Sequence, residues 1–282
     1  MPNVSVIITT YRRPELLEEA IRSVLSQTFT DFELVIVDDA SLDDTRKVAT
    51  SFQDDRISYI CHETNKGDAA AKNTGIRSAK GQYVISLDDD DLFVPWTLER
   101  LVERMEGDGV SGGAYGWSWW VYDHGKTLKI LAATQEGSLS LRILSHQLFT
   151  NILLKREVFE KIGLYDEKLR SNYDHDFYLR LAKAYAIEAV PEILFVIRLQ
   201  GKHLSEISLP HMRSHEEVTR RYDSHARKKA VVLLNVIPAS LYVRLSVFKH
   251  KIFTMLRFIT NPALKKQIEA VRQSLEGEGI AL

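Results

Sequence analysis

Cysteine is almost missing from this chain: Cys61 is the only one in 282 residues. One thiol excludes an internal disulfide and fits a reducing compartment, and a lone thiol reads most simply as a small core residue. No leader is expected either. The first apolar stretch, Val4 to Ile8, is too short for a secretory signal and has no basic segment ahead of it. A cytoplasmic location is therefore the expectation. Internal repeats and low-complexity segments are absent. The apolar region near the C-terminus is interrupted by Asn235, Pro238 and Arg244, which argues against a spanning helix. Nothing points to nucleic acid as a partner.

What remains is ordinary globular composition, 45% apolar and 27% charged. A chain of this length buries about three quarters of the surface its unfolded form exposes, enough for one large domain or a domain with an appendage. The net charge of −1 hides an asymmetry. Residues 1–210 carry 24 Lys and Arg against 32 Asp and Glu, a net −8; residues 211–282 carry 13 against 6, a net +7. The sequence divides accordingly into a body over 1–210, with halves 1–105 and 106–210, and a basic helical tail over 211–282.

The first hundred residues alternate apolar runs with helical patterns. Strands are predicted over Val4–Thr9, Glu33–Val37, Ile57–Ile60 and Tyr83–Leu87. Helices are predicted from Pro14 to Gln27, from a cap at Ser41 or Asp43 to about Phe52, and from Lys66 to Ala79. This order predicts a mostly parallel sheet with helices on both faces, with ligands beyond the carboxyl ends of the strands. Thr9–Tyr11, Asp38–Ser41 and Asp88–Asp91 then share one rim. Later segments read as a helix from Trp96 to Met105, aromatic-rich strands over 107–135, a mixed or helical stretch from Ser140 to Ile162, a helix over Tyr173–Ala186 and a strand over Glu188–Arg198.

Asp88-Asp89-Asp90-Asp91 is the strongest local signal. Four adjacent carboxylates repel one another, and a hard cation relieves the repulsion. Mg²⁺ or Mn²⁺ is commonly held by one or two carboxylates together with substrate phosphates. The plainer alternative is a solvated acidic loop capping the next helix.

Around this run the chain resembles family 2 glycosyltransferases of the GT-A fold. The resemblance rests on Val4–Tyr11, Ser23–Thr28, Phe32–Ser41, Asn65–Gly67, Ala71–Gly75 and Gly81–Asp91, in the family's order over about residues 3–105. It implies a layered α/β/α fold with a mostly parallel central sheet, to which the helical C-terminal appendage is added. It also implies an inverting, metal-dependent enzyme moving a sugar from a nucleotide-sugar donor, UDP-linked first of all, to a hydroxyl of a glycan or lipid-linked acceptor in cell-surface polysaccharide synthesis. By the same resemblance Thr9 and Tyr11 line the base, Asp39 reads it, Lys72 faces the donor phosphates, Asp89 approaches ribose or sugar, and Asp90 holds Mn²⁺ or Mg²⁺. Asp88 and Asp89 are interchangeable in these roles. The family usually has Arg-Asn where this chain has Lys72-Asn73.

Tyr173–Ala182 resembles the family's catalytic helix start, which makes Asp174 the base that deprotonates the acceptor hydroxyl. Tyr173 stands where a Glu is common. Arg198, His203 and Ser205 match a loop over the diphosphate, with Arg198 on phosphate and His203 completing the metal shell or closing the lid. Plainer readings stand beside these: loop packing for Tyr11, helix caps for Asp39 and Asp174, a solvated charge for Lys72, and a surface ion pair with Arg180 for Asp176. Trp117, Trp119 and Trp120 form either a sugar platform or core.

The tail over 226–260 alternates basic and apolar residues. It fits a helix lying on an anionic membrane, which puts the enzyme at the inner face of the plasma membrane, or packing on the body, or a homo-oligomer contact. Two other functions compete. A sugar-nucleotide-forming nucleotidyltransferase normally has a Gly-rich loop after the first strand, where this chain reads Thr9-Thr10-Tyr11-Arg12-Arg13. A non-catalytic nucleotide-sugar-binding protein has no need of Asp90 and Asp174.

Overall fold

The computed structural model describes residues 1–108, 111–122, 126–131, 151–199 and 262–280. In chain order the elements are β1 (Val4–Thr10), α1 (Pro14–Leu25), β2 (Phe32–Asp38), α2 (Thr45–Ser51), β3 (Ile57–Cys61), α3 (Asp68–Ser78), β4 (Tyr83–Asp88), β5 (Leu92–Phe93) and α4 (Thr97–Asp108). They continue with β6 (Gly113–Tyr122), β7 (Lys126–Leu131), β8 (Ile152–Lys155), α5 (Arg156–Ile162), α6 (Tyr173–Ala184), β9 (Ile187–Leu199) and α7 (Pro262–Gly277).

The strands form one sheet in the order β3-β2-β1-β4-β8-β6-β9-β5, with β7 paired to β6. The first half is wholly parallel: β1 lies between β2 and β4, and β2 pairs with β3. The second half is mixed. β8 runs antiparallel to both β4 and β6, β9 is parallel to β6, and β5 is antiparallel to β9.

Both faces of the sheet are covered, and the strand period of two decides which residue goes where. Val4, Val6 and Ile8 of β1 pack with Leu17, Ile21 and Val24 of α1 and Leu98 of α4. Ile7, pointing the other way, packs with Ala71 and Ile76 of α3 and with Val158 and Phe177 of α5 and α6. Burial on two sides is why β1 reads as an unbroken apolar run rather than an alternating one. Truncating Ile7 to alanine is expected to cost about 2–5 kcal/mol. α3 sits so close to β1 that a Cβ at Gly75 lies 2.4 Å from Ile7 Cγ2.

Several expectations need correction. Cys61 is exposed at the end of the edge strand β3, so it is not a core thiol. Ser41 does not cap α2, because its hydroxyl accepts the Arg12 amide at 2.9 Å; Asp43 accepts the Thr45 amide at 3.0 Å. The short strand β5 directly follows the acidic run, where only a helix start was read. The tryptophans divide. Trp119 is fully buried in the core, while Trp120, on the opposite face of β6, lines a cleft.

Within the basic C-terminal region, 211–261 lies outside the described residues, including the stretch 226–260. α7 beyond it buries Leu264, Ile268, Val271 and Leu275 in the same core cluster as β1 and α1. The Arg272 guanidinium lies 5.7 Å from the Trp119 ring centre. No helix among the described residues is long and apolar enough to cross a membrane.

Candidate active site

Two clefts open at the carboxyl ends of the parallel strands. One, of about 400 Å³, is lined by Thr9, Thr10, Tyr11, Arg13, Asp39, Asp68 and Asp88–Asp90. The other, of about 210 Å³, is lined by Lys72, Asp88, Asp91, Tyr165, Tyr173, Asp174 and Tyr178 with an apolar floor of Val84, Ile152, Leu154 and Phe159. Asp88, the last residue of β4, borders both.

The wider cleft is shaped by hydrogen bonds between successive βα loops. Asp39 is buried and organises the approach to α3: it accepts the Lys66 amide at 2.8 Å, the Gly67 amide at 2.7 Å and a 2.7 Å bond with His62 Nδ1. Gly67 precedes α3 at φ +90°, a left-handed conformation that favours glycine. Thr9 donates to Asp68 at 2.7 Å and Thr10 to Asp89 at 2.7 Å. Tyr11 is 39% exposed with Arg12 over its ring, so its face is not taken up by core packing. Arg12, Ala40 and Asn172 all have positive φ. Such backbone is costly without glycine and persists where surrounding structure imposes it, often at functional sites. Arg12 and Ala40 adjoin residues of this cleft, and Asn172 precedes Tyr173 and Asp174 of the smaller one.

The acidic run is a tight turn closed by the Asp91 amide on the Asp88 carbonyl at 3.0 Å. It sorts the four carboxylates. Oxygens of Asp88, Asp90 and Asp91 lie within 4.8 Å of one another. Asp89 points away, into Thr10 and the Arg13 guanidinium. Burial pushes the Asp89 carboxyl up to about 6 and raises Asp90 and, further, Asp91, with neighbouring carboxylates adding to both. Three clustered carboxylate oxygens fit a hard divalent cation such as Mg²⁺ or Mn²⁺. His203, the other residue read as a metal ligand, lies outside the described residues, as does Ser205.

Lys72 sits between the clefts. The resemblance puts it on the donor phosphates; the structure engages its Nζ with Asp88 at 2.6 Å, Asp68 at 2.9 Å and the Tyr173 hydroxyl at 3.1 Å. It is no solvated helix charge, being 7% exposed. Burial alone lowers a lysine, but Asp68 and Asp88 outweigh it and hold the ammonium charged. The Tyr173 hydroxyl also donates to Asp68, so the tyrosine at the usual Glu position is tied to a carboxylate from α3.

The resemblance puts Arg198 on the diphosphate; in the structure it is engaged with the acidic turn and with α1. Its side chain is 10% exposed. Nε donates to the Asp90 carbonyl at 2.6 Å, the backbone amide to Asp91 at 3.1 Å, and Nη1 pairs with Glu19 of α1.

Asp174 opens α6 in the smaller cleft. Burial raises its carboxyl above the usual range, partly offset by the His175 amide and Lys72. That is the direction that makes a carboxylate a better base near neutral pH. Asp176 is a buried partner, not a surface one: it is 3% exposed and accepts Arg180 Nε at 2.9 Å. Arg180 also donates to the carbonyls of Ile162 and Leu164, at 2.6 and 2.9 Å. Asn73 ties the same turn to α3, bonding Tyr165 through both its backbone groups at 3.0 Å and Glu167 at 2.8 Å. Thus α3 and α6 are locked together under the two clefts.

Arg13, Glu19, His62 and Asp68 escaped the sequence reading. Only Asp68 left a local signal, an acid in the first turn after a glycine. The others act through contacts with distant segments.

Comparison with known proteins agrees with this geometry. The Glycosyl transferase family 2 profile matches residues 5–163. An uncharacterised glycosyltransferase of Methanocaldococcus jannaschii is 30% identical over 217 residues, 73% of this chain and 74% of the relative. A GalNAc(5)-diNAcBac-PP-undecaprenol beta-1,3-glucosyltransferase of Campylobacter jejuni is 42% identical over 107 residues, 37% of this chain and 35% of its own length. Among solved structures, Staphylococcus aureus TarS 1–349 with UDP-GlcNAc superposes at TM-score 0.63 and 20% identity, covering 99% of this chain and 81% of that one. The Pyrobaculum calidifontis mannosyltransferase PcManGT with GDP-Man and Mn²⁺ gives 0.57 at 19% identity, covering 98% and 75%. At those identities the structures speak for a GT-A-type fold alone. The profile match and the sequence relatives carry the rest: this chain is a glycosyltransferase enzyme, of hexosyltransferase type, and belongs to glycosyl transferase family 2.

Proposed function

We propose that the chain is an inverting transferase that moves a sugar from a nucleoside-diphosphate sugar, UDP-linked first of all, to a hydroxyl of a glycan or lipid-linked acceptor in cell-surface polysaccharide synthesis. The observation that carries this reading is the meeting of the two clefts at Asp88. A nucleotide-sized cleft and a smaller cleft holding a raised carboxyl share the edge where three acidic side chains converge. Lipid-linked acceptors are suggested by the undecaprenol-linked substrate in the name of the Campylobacter jejuni relative.

In this reading Thr9, Tyr11 and Asp39 hold the nucleotide, with Tyr11 stacking on the base. Asp90, with Asp88 and Asp91, holds the divalent cation, which when bound neutralises charge on the departing diphosphate. Asp174 takes the proton from the acceptor hydroxyl as that oxygen attacks the anomeric carbon from the face opposite the leaving group. Lys72 keeps Asp88 and Tyr173 in register across the boundary.

The test is nucleotide release from a panel of nucleotide sugars by the full chain with Mn²⁺. The expected result is turnover with one donor that needs metal and disappears in Asp90→Ala. Metal-dependent binding of donors with no turnover on any acceptor would instead leave the non-catalytic reading. The basic stretch 226–260 is proposed to sit on anionic membrane. Replacing Arg227, Lys228 and Lys229 by Gln should reduce co-sedimentation with anionic vesicles, and equal binding by both proteins defeats the idea. Charge substitution suits this better than truncation, because α7 beyond the stretch is part of the core.

A further inference from the structure

Arg13 has no assigned role in the nucleotide cleft, yet it touches the metal cluster. It lies in the β1–α1 loop just ahead of Pro14, and no side chain caps α1 there. Its Nη1 donates at once to Asp89 at 3.0 Å and to Asp90 at 2.9 Å. The two acceptors differ in kind. Asp89 is buried, tied to Thr10 and outside the group of converging carboxylates; Asp90 is one of the three that converge. Arg13 is also 41% exposed and lines the wider cleft. A guanidinium has five N–H groups, and only Nη1 is engaged in these contacts.

We propose that Arg13 is an exchangeable counter-ion: it neutralises Asp90 in the metal-free protein, yields it to the divalent cation, and then serves the donor's diphosphate while staying anchored on Asp89. This deepens the proposed function and rests on it. Two cations compete for one carboxylate, so Arg13 opposes metal binding taken alone. Asp89 keeps the guanidinium at the cleft, so once released from Asp90 its remaining donors suit phosphate oxygens, which it binds in paired geometry. Metal and nucleotide diphosphate therefore help each other bind, and the coupling is reciprocal. Lys72 stands in the corresponding position on Asp88 from the other cleft, but it is buried with three partners and is not free to turn.

The prediction has opposite signs for two ligands, which a structural role of Arg13 does not produce. Calorimetry is run on the metal-free full chain and on Arg13→Gln, with thermal unfolding recorded for both. Mn²⁺ alone is expected to bind the variant about fivefold tighter, since one positive charge beside the site is gone. UDP in saturating Mn²⁺ is expected to bind about tenfold more weakly, while uridine, without phosphates, binds both proteins equally. Arg13→Lys, which keeps the charge, should leave Mn²⁺ affinity near the wild-type value.

Weaker Mn²⁺ binding in Arg13→Gln overturns the counter-ion role. Equal losses for UDP and uridine overturn the phosphate role. Failure of the wild-type chain to bind any nucleotide diphosphate removes the proposed function and the phosphate role with it, whereas the metal arm still decides the competition.

Discussion

The two clefts are built differently. The wider one is assembled from loops that follow β1, β2 and β4, neighbours in a parallel sheet. Thr9, Tyr11, Asp39 and Asp88–Asp90 sit within a residue or two of strand ends, so chain order predicts their meeting; Arg13 and Asp68 lie farther along and escape that rule. The smaller one draws on β4, β8, β9, α5 and α6, across antiparallel and parallel pairings. There no sequence rule brings Asn151, Tyr165 and Asp174 together. Regular βα repetition makes a binding rim legible in advance, and a mixed sheet makes its partner cleft a matter of tertiary packing.

The comparison can be broken, beginning with the largest effect. Asp174→Asn should reduce sugar transfer by about 10²–10⁴-fold while leaving nucleotide affinity unchanged, because it removes only the base. A parallel fall in donor affinity, measured by calorimetry, would show that the clefts do not divide the labour this way. Asp90→Ala should do the reverse: metal-dependent nucleotide affinity is lost and turnover falls by about a hundredfold or more, as loss of several kcal/mol of charge stabilisation requires.

Asn73→Ala tests the joint between the clefts. It deletes three hydrogen bonds that tie α3 to the turn before α6. Denaturant unfolding should register a loss of about 2–3 kcal/mol. If the joint positions Asp174, the acceptor KM rises more than the donor KM.

The smallest effect is in pH dependence. Burial lifts the Asp174 carboxyl above its usual range, so transfer should fall on acidification through a pKa higher than an ordinary carboxylate's. Stability has the opposite dependence. The folded state holds this proton more firmly than the unfolded chain does. The associated stabilisation is present at low pH and lost as pH rises through the folded value. Asp174→Asn should therefore melt slightly higher than wild type near neutrality, with the difference vanishing in acid. A variant that melts lower at neutral pH contradicts the assigned burial.

Much of the first half was written in the sequence. The apolar runs of β1, β2 and β4, the Pro14 helix start and the acidic run at a strand end each have a local cause, backbone propensity or side-chain period. β2 extends one residue past its reading at each end, and β1 and β4 one residue past theirs at the carboxyl end only. The place of Asp174 at a helix start was legible through the pattern around it, though not its burial. The plainer reading of Asp176 went wrong in degree: an i,i+4 pair looks superficial on a helix, but Asp176 is buried and its partner Arg180 is held by the 162–164 carbonyls and over the Phe177 ring.

The sequence alone determined that four carboxylates would stand together after a buried strand, since adjacency along the chain guarantees it. It did not determine which of them converge. Tertiary structure decided that, because the turn between Asp88 and Asp91 sends Asp89 to Thr10 and Arg13 and leaves the other three facing one another. It also tied Arg198 to the turn and to Glu19, and Lys72 to Asp88, contacts between residues as many as 179 positions apart. Periodicity and propensity act over a few residues. Electrostatic partners of a buried carboxylate are chosen by whichever distant segments the packed sheet brings within 3 Å, and only the folded chain specifies those.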